Sequence, residues 1–129
     1  MNDWIPIDLA LDLFRESTGV EPHVRDMGAL QSSLMRPYSD FGGMEFYSTL
    51  HEKAAALLES VNRNHALLDG NKRLSFVLVL ALYGINGVEP KPDAFPSPEE
   101  IDVLIRRVAS DEVSFEEIVT WLQEIFAGH

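Results

Sequence analysis

The most hydrophobic part of the chain predicts a buried helix over residues 72–86. Leu74, the run from Phe76 to Leu82, and Ile85 place apolar side chains on nearly every face of that helix. A helix that is hydrophobic all round is usually surrounded by other helices. Gly87 follows directly and is a typical C-terminal stop, because glycine readily takes the left-handed backbone conformation. The pattern therefore predicts a central helix that the rest of the chain encloses.

The N-terminal segment, residues 5–18, fits two hydrophobic patterns. Every second residue from Ile7 to Leu13 is apolar, as in a half-buried strand. Ala10 and Phe14, together with Ile7, instead lie on one face of a helix. Leucine and alanine dominate and β-branched residues are few, so the composition favours a helix that ends near Gly19.

Four further segments combine helical spacing with polar residues that typically begin a helix. Asp26 is a suitable N-cap for a short helix that buries Met27, Leu30 and Leu34 and stops before Pro37. Three capping boxes follow, each with its buried stripe: Thr49 and Glu52 before Leu50, Ala54, Leu57, Leu58 and Val61; Ser97 and Glu100 before Ile101, Leu104, Ile105 and Val108; Ser114 and Glu117 before Phe115, Ile118, Val119, Leu122 and Phe126. The first of these helices is predicted over residues 49–63. We therefore predict an all-α, single-domain bundle of about six helices over residues 1–129, around helix 72–86.

Composition and charge narrow the class of protein. The chain has 129 residues, 46% of them hydrophobic, as expected for one globular domain. It has no cysteine, which excludes disulfides and thiolate metal sites and is typical of cytoplasmic proteins. No signal peptide is evident, and no apolar run reaches the ~20 residues of a membrane span. The net charge of −11 argues against direct binding to nucleic acid or anionic membranes.

Candidate chemistry is concentrated in the loop of residues 64–73, which leads into the central helix. The first N–H groups of a helix lack intrahelical partners and carry partial positive charge, so this position suits an anion such as phosphate. His65 can move a proton near neutral pH, and Asp69 can hold Mg²⁺ that arrives with a nucleotide. Arg63, near the loop, is expected to share a small basic pocket with Lys72 and Arg73. The predicted phosphate-binding residues are Gly70, Asn71, Lys72 and Arg73.

These residues alone leave three functions open. The first is phosphoryl or nucleotidyl transfer from ATP to a protein hydroxyl, with His65 as the base and Asp69 as the Mg²⁺ ligand. The second is a binding module without chemistry, in which the same two side chains pair and cap a helix. The third is a metal-dependent phosphohydrolase or nuclease. It ranks last because such sites usually need several histidine and carboxylate ligands, and only one pair is visible.

The loop also resembles the motif of the Fic/Doc family, His-x-Phe-x-(Asp/Glu)-(Gly/Ala)-Asn-(Gly/Lys)-Arg, which lies between two core helices. Here the stretch reads His65-Ala66-Leu67-Leu68-Asp69-Gly70-Asn71-Lys72-Arg73. The lysine before the arginine is similar to the Doc branch, the toxins of toxin–antitoxin systems. Three upstream segments are similar to the same branch, so the resemblance covers roughly residues 4 to 88: Val24 to Asp26, Leu30 to Ser32 and Phe41 to Ala55.

The resemblance implies a role for each matched residue. His65 would be the catalytic base, Asp69 the Mg²⁺ ligand, and the turn from Gly70 to Arg73 the phosphate cradle. Family members with glycine before the arginine transfer AMP to protein hydroxyls. The Doc branch binds ATP in a reversed orientation and phosphorylates elongation factor Tu, which arrests translation. We therefore expect a cytoplasmic Doc-like kinase that uses ATP and Mg²⁺ and is silenced by a small, Phd-like antitoxin. The alternatives are a Fic-type AMP transferase and a weak or inactive nucleotide- or partner-binding module.

The sequence departs from the family pattern in ways that bear on activity. Leu67 stands where the family has phenylalanine, so we expect it to anchor the loop less rigidly. Phe76 stands where AMP-transferring members often have a second arginine, which favours the Doc branch. The spacing of the family's inhibitory motif occurs at Ser17 to Glu21, but Pro22 follows, so inhibition is expected to come from another chain.

Residues 36–47 mix proline and glycine with aromatic side chains and have no helical pattern. One interpretation is a connecting loop that its aromatic residues pin to the core. The other is a flap beside the site that positions a protein segment, as the corresponding region does in the Fic/Doc family.

Overall fold

The computed structural model describes residues 4–126, which form six α-helices and one short hairpin. The helices are α1 (Ile7–Thr18), α2 (Met27–Met35), α3 (Leu50–Asn64), α4 (Asn71–Ile85), α5 (Pro98–Ala109) and α6 (Phe115–Ile125). A 3₁₀ turn (Arg36–Tyr38) and strands β1 (Asp40–Phe41) and β2 (Met44–Glu45) connect α2 to α3. The predicted all-α fold with six helices is confirmed. The first and last three residues of the predicted 1–129 domain lie outside the described residues.

Helices α3 and α4 together form the centre of the bundle. Helix α4 begins and ends one residue earlier than predicted, and every side chain from Leu74 to Tyr83 is buried or half-buried. It packs against α1, α3 and α5, whereas α3 packs against α2, α4, α5 and α6. The predicted central helix is therefore one member of a central pair, and the loop that joins the pair carries the candidate site.

Local hydrogen bonds set most helix starts, as the sequence predicted. The Asp26 carboxylate accepts a hydrogen bond from the N–H of Ala29 at 3.0 Å. The capping boxes of α3, α5 and α6 all form. Such caps typically contribute about 1 kcal/mol each. Helices α1 and α4 differ, because their N-caps are Pro6 and Gly70 and no side chain caps them.

Two residues of the predicted core are exposed. Met27 is 50% exposed and Ile85 is 43% exposed. Met27 lies in the first turn of α2, and Ile85 is the last residue of α4. Hydrophobic spacing assigns residues to a face of a helix, but at a helix end fewer neighbouring elements remain to cover that face.

Residues 36–47 are more regular than a connecting loop. Strands β1 and β2 pair antiparallel, and Gly42 and Gly43 form the turn between them with φ angles of 59° and 87°. A two-residue turn of this kind needs positive φ at both positions, which glycine takes without strain. The Lys53 ammonium lies 3.0 Å from the Glu45 carboxylate, so the hairpin is tied to the N-terminal part of α3.

Helix length bears on the predicted absence of a membrane span. Helices α3 and α4 have 15 residues each, whereas a helix that crosses a bilayer needs about 20. Within the part of the chain that the structure describes, no helix is both long enough and apolar enough to cross a membrane.

Candidate active site

A cleft of about 1110 Å³ opens where the loop of residues 64–73 enters α4. The second wall is the C-terminal part of α1 with the connector that follows it, and the third wall is α5. The residues that the sequence predicted for the site all line this cleft: His65, Asp69, Gly70, Asn71, Lys72 and Arg73. The structure therefore brings these six residues to one place.

His65 caps the C-terminus of α3 in a backbone conformation that is uncommon for residues other than glycine. Its φ and ψ are 49° and 50°, in the left-handed region. A residue other than glycine typically loses about 1–2 kcal/mol there, so its surroundings must hold it. The side chain is exposed, and its ring makes no hydrogen bond to any residue between 4 and 126. Both ring nitrogens are therefore open to a substrate.

The connector between α1 and α2 supports the start of the loop through hydrogen bonds to its backbone. The N–H of Arg25 donates to the Ala66 carbonyl at 2.7 Å, and the N–H of Leu68 donates to the His23 carbonyl at 2.9 Å. The Arg25 guanidinium also donates to the His65 carbonyl at 2.6 Å, across 40 positions of sequence. The candidate base is thus held by a segment that hydrophobic periodicity did not associate with it.

Leu67 and Asn71 close the loop on itself. Leu67 is 1% exposed and belongs to the hydrophobic core. The Asn71 Oδ1 accepts from the Leu67 N–H at 3.0 Å, and its Nδ2 donates to the Leu67 carbonyl at 2.9 Å. Leu67 therefore anchors the loop in the core in place of the family's phenylalanine. Because the Asn71 side chain is used inside the loop, its backbone N–H is the group that remains for a phosphate.

Asp69 and Gly70 form the turn into α4. One carboxylate oxygen of Asp69 accepts from the N–H of Gly70 at 2.9 Å, and the residue is exposed. Gly70 has a φ of 90°, and a Cβ atom there would lie 2.7 Å from Cζ of Phe14. Any larger residue would be strained and would collide with the ring. Phe14 of α1 thus fixes where the loop ends and α4 begins.

The N-terminus of α4 presents unpaired backbone donors to the cleft. The first intrahelical bond joins the N–H of Leu74 to the Gly70 carbonyl at 2.9 Å, so the N–H groups of residues 71–73 have no partner in the helix. Lys72 and Arg73 are exposed and form no salt bridge with any residue from 4 to 126. Two full charges therefore add to the partial charge of the helix end, which suits a phosphate.

The predicted basic pocket is only partly right, because Arg63 lies outside it. Arg63 does not line the cleft. Its guanidinium pairs with Asp111, in the turn after α5, and lies 3.5 Å from the Glu59 carboxylate one turn back along α3. The two carboxylates hold the side chain away from the phosphate site, which leaves Lys72 and Arg73 as the cations of the original three.

Helix α5 provides a wall that the sequence did not connect with the site. Ile101 and Ile105 had been predicted only as core residues, and both line the cleft beside Asp102. A hydrogen bond from Arg106, and the charges of Arg106 and Lys72, hold the pKa of the Asp102 carboxyl below its usual value. A carboxylate therefore faces the cationic end of the cleft. Nothing in the local sequence distinguishes it from a solvated charge.

Two side chains of the central helices also belong to the cleft. Asn62 is 1% exposed; its Nδ2 donates to the Leu58 carbonyl at 2.8 Å, and its Oδ1 has no partner among residues 4–126. Its only sequence signal was a polar residue on the buried face of α3. Phe76 is 8% exposed, with its ring edge-on to Phe95 and Trp121. The position of the family's second arginine is therefore filled by a core aromatic residue.

The hairpin does not contribute to the cleft. None of the residues 36–47 lines it. Lys53, which ties the hairpin to α3, precedes His65 by about three turns of helix, which corresponds to roughly 18 Å along the helix axis. Phe41, Met44 and Phe46 are exposed on the hairpin, and its role as a flap that positions a protein segment stays a prediction.

The carboxylates of the site suit a magnesium ion that a nucleotide brings with it. Magnesium commonly binds through one or two carboxylates together with substrate phosphates. Asp69 fits this mode, because its second carboxylate oxygen has no partner among residues 4–126 and the residue lines the cleft next to the N-terminus of α4. Within residues 4–126, no three histidine, cysteine or acidic side chains converge as a metal site.

The resemblance to the Fic/Doc motif implied an all-α bundle in which the histidine loop joins two core helices. The structure has this arrangement, and the loop opens onto an uncapped helix N-terminus. Residues 7–83 match the model of the Fic/DOC family. The chain belongs to this family. A curated relative is "Toxin Doc" of Mycolicibacterium smegmatis (strain ATCC 700084 / mc(2)155). It is 38% identical over 104 residues, which cover 81% of this chain and 78% of the relative.

Proposed function

We propose that this chain is a Doc-type toxin that transfers the γ-phosphate of ATP to a hydroxyl group of a protein, with elongation factor Tu as the target. The observation that carries the proposal is the uncapped N-terminus of α4, which shares one cleft with His65 and Asp69. Membership of the Fic/DOC family and the identity to a protein named Toxin Doc support the toxin class. Arrested translation would be the cellular result.

The chemistry needs mainly positioning and charge stabilisation, as is general for phosphoryl transfer. The phosphates of ATP would lie against the N–H groups of α4, between the Lys72 and Arg73 side chains. One ring nitrogen of His65 accepts the proton of the target hydroxyl while the hydroxyl oxygen bonds to the γ-phosphorus. The bond from that phosphorus to the β–γ bridging oxygen breaks, and ADP leaves with the electron pair. Magnesium held by Asp69 would offset the charge of the phosphates.

Two side chains favour γ-phosphate transfer over AMP transfer. Lys72 places a long cationic side chain in the cleft where AMP-transferring relatives have glycine, and it faces the Asp102 side of the cleft. The terminal phosphates would then be obstructed in the usual orientation, and a reversed nucleotide brings its γ-phosphate to His65. Phe76 is packed in the core, so this position offers no cation to hold terminal phosphates in the other orientation.

Inhibition by a separate, Phd-like antitoxin is part of the proposal. Glu21, at the end of the stretch with the spacing of an inhibitory motif, is bound by the Arg15 guanidinium through two contacts of 2.9 Å. Its carboxylate is therefore committed to α1, although the residue lines the cleft. This supports silencing by another chain. A cytoplasmic location follows from the proposed target.

The test is to incubate the purified protein with elongation factor Tu and ATP labelled on either the α- or the γ-phosphate. We expect label to enter the target only from the γ-position, and we expect Lys72→Gly to lower this transfer and to open a weak α-transfer. His65→Ala is the inactive control. Label that enters only from the α-position would refute γ-phosphate transfer and show AMP transfer instead. Binding of ATP without transfer of either label would favour a binding module.

A further inference from the structure

The backbone of His65 is strained, so something outside the loop must hold it. Its φ is 49°, and only two other non-glycine residues between 4 and 126 have a positive φ, Asp93 and Asp111. Aspartate and histidine occur in this region more often than most residues, and a short polar side chain can be stabilised there by a local hydrogen bond. The His65 ring has no such bond within the described residues. The restraint must therefore act on the peptide groups around it.

The contacts that supply this restraint converge on the Arg25 residue. Its guanidinium donates to the His65 carbonyl at 2.6 Å, and its backbone N–H donates to the next carbonyl, that of Ala66, at 2.7 Å. Val24 pairs with Leu67 in a single antiparallel bridge. One residue of the α1–α2 connector thus fixes two successive carbonyls, and with them the peptide plane that follows His65.

The guanidinium of Arg25 has no other hydrogen-bond or salt-bridge partner among residues 4–126. Arg25 forms no salt bridge with any residue from 4 to 126, and it does not line the cleft. A surface arginine is usually paired with a carboxylate or left in solvent, whereas this one donates a short hydrogen bond to an uncharged carbonyl. Hydrogen bonds from charged donors are stronger than neutral ones.

We propose that Arg25 is a positioning residue for His65: its guanidinium holds the His65 carbonyl and so keeps the imidazole pointing into the cleft. Arg25 touches neither nucleotide nor target and acts through the histidine. The catalytic consequence rests on the proposed function, but the effect on the orientation of His65 does not.

The test compares Arg25→Met, which keeps an unbranched stem and removes the donors, with Arg25→Lys, which keeps a charged donor. The control is Arg107→Met, because Arg107 also donates to a backbone carbonyl, that of Glu112 at 3.4 Å, and lies outside the cleft. The first measurement is the NMR spectrum of the imidazole C–H groups, with His65 assigned from a His65→Gln variant. We expect its signals to shift or broaden in Arg25→Met, to recover in part in Arg25→Lys, and to stay unchanged in the control.

The second measurement is the rate of transfer at saturating ATP, together with the Kd for ATP. A small misplacement of a catalytic group can cost up to about 100-fold in rate, so we expect kcat to fall about 10- to 100-fold in Arg25→Met. The Kd should change less than about 2-fold, because the cradle at Lys72 and Arg73 is untouched. Unchanged His65 signals in Arg25→Met would overturn the proposal. So would a parallel loss of ATP binding and thermal stability, which would show a merely structural role. Absence of transfer by the wild type would refute the proposed function alone, since the NMR result stands without it.

Discussion

Replacing Gly70 with alanine should disturb both the fold and the phosphate site, for two separable reasons. Gly70 has a φ of 90°, where a residue with a Cβ is strained. The new Cβ would also lie 2.7 Å from Cζ and 2.9 Å from Cε1 of Phe14. Real Cβ atoms do not approach other carbons so closely, so the Phe14 ring or the start of α4 must move.

The size of the effect follows from these two terms. The left-handed conformation costs about 1–2 kcal/mol for a residue other than glycine, and overpacking a core typically costs about 1–3 kcal/mol. Gly70→Ala should therefore lower the free energy of unfolding by about 2–5 kcal/mol. Urea unfolding followed by circular dichroism measures it, with an unchanged m-value as the sign that the two states are the same. Affinity for ATP should fall as well, because the start of α4 shifts.

Gly87, which follows the C-terminus of the same helix, offers a control with a similar backbone conformation. It has a φ of 74°, and a Cβ built on it meets nothing within 4 Å. Gly87→Ala should therefore carry only the backbone term. Shrinking the ring with Phe14→Leu should make Gly70→Ala less costly than it is beside phenylalanine, which a double-mutant cycle detects. Equal losses for the two glycine variants, or no coupling to Phe14, would refute the collision argument.

Three further predictions concern single side chains. His65→Ala should lose about 10²–10⁴-fold in transfer rate, keep near-normal ATP binding and fail to arrest growth; an unaffected arrest would remove His65 from the mechanism. Asp69→Ala should weaken binding of ATP only when Mg²⁺ is present, and equal titrations of Mg-ATP with both proteins would contradict the role. The backbone N–H of Thr49 is the main group that lowers the pKa of Glu52 from its usual 4.5. The contribution of the Glu52 carboxylate to stability is full above pH 4.5 and is lost as the pH falls through the lowered pKa. Glu52→Gln should therefore flatten the decline of stability in acid, and an identical pH profile for wild type and variant would exclude this link.

The helix boundaries and the position of the site loop could be predicted from the sequence, because both depend on residues that are close together in the chain. A cap such as Thr49 bonds three residues ahead, and a buried stripe repeats within two turns, so both are written into a short window. The residues His65 to Arg73 are contiguous, which let the sequence place the candidate base, metal ligand and cradle in one loop. His65, Asp69 and the cradle residues from Gly70 to Arg73 all line the cleft.

The tertiary structure decided what surrounds that loop. These surroundings come from elements far apart in the chain: Phe14 lies against Gly70, Arg25 donates to the His65 carbonyl, and the charge of Lys72 acts on Asp102. The prediction for Arg63 was wrong for the same reason, because its side chain pairs with Asp111, which is 48 positions away in the chain. A helical pattern tells which face of a helix is buried but not which element covers it. Helix packing therefore decided three features of the site: the support of His65, the carboxylate that faces the phosphate cradle, and the shape of the cleft.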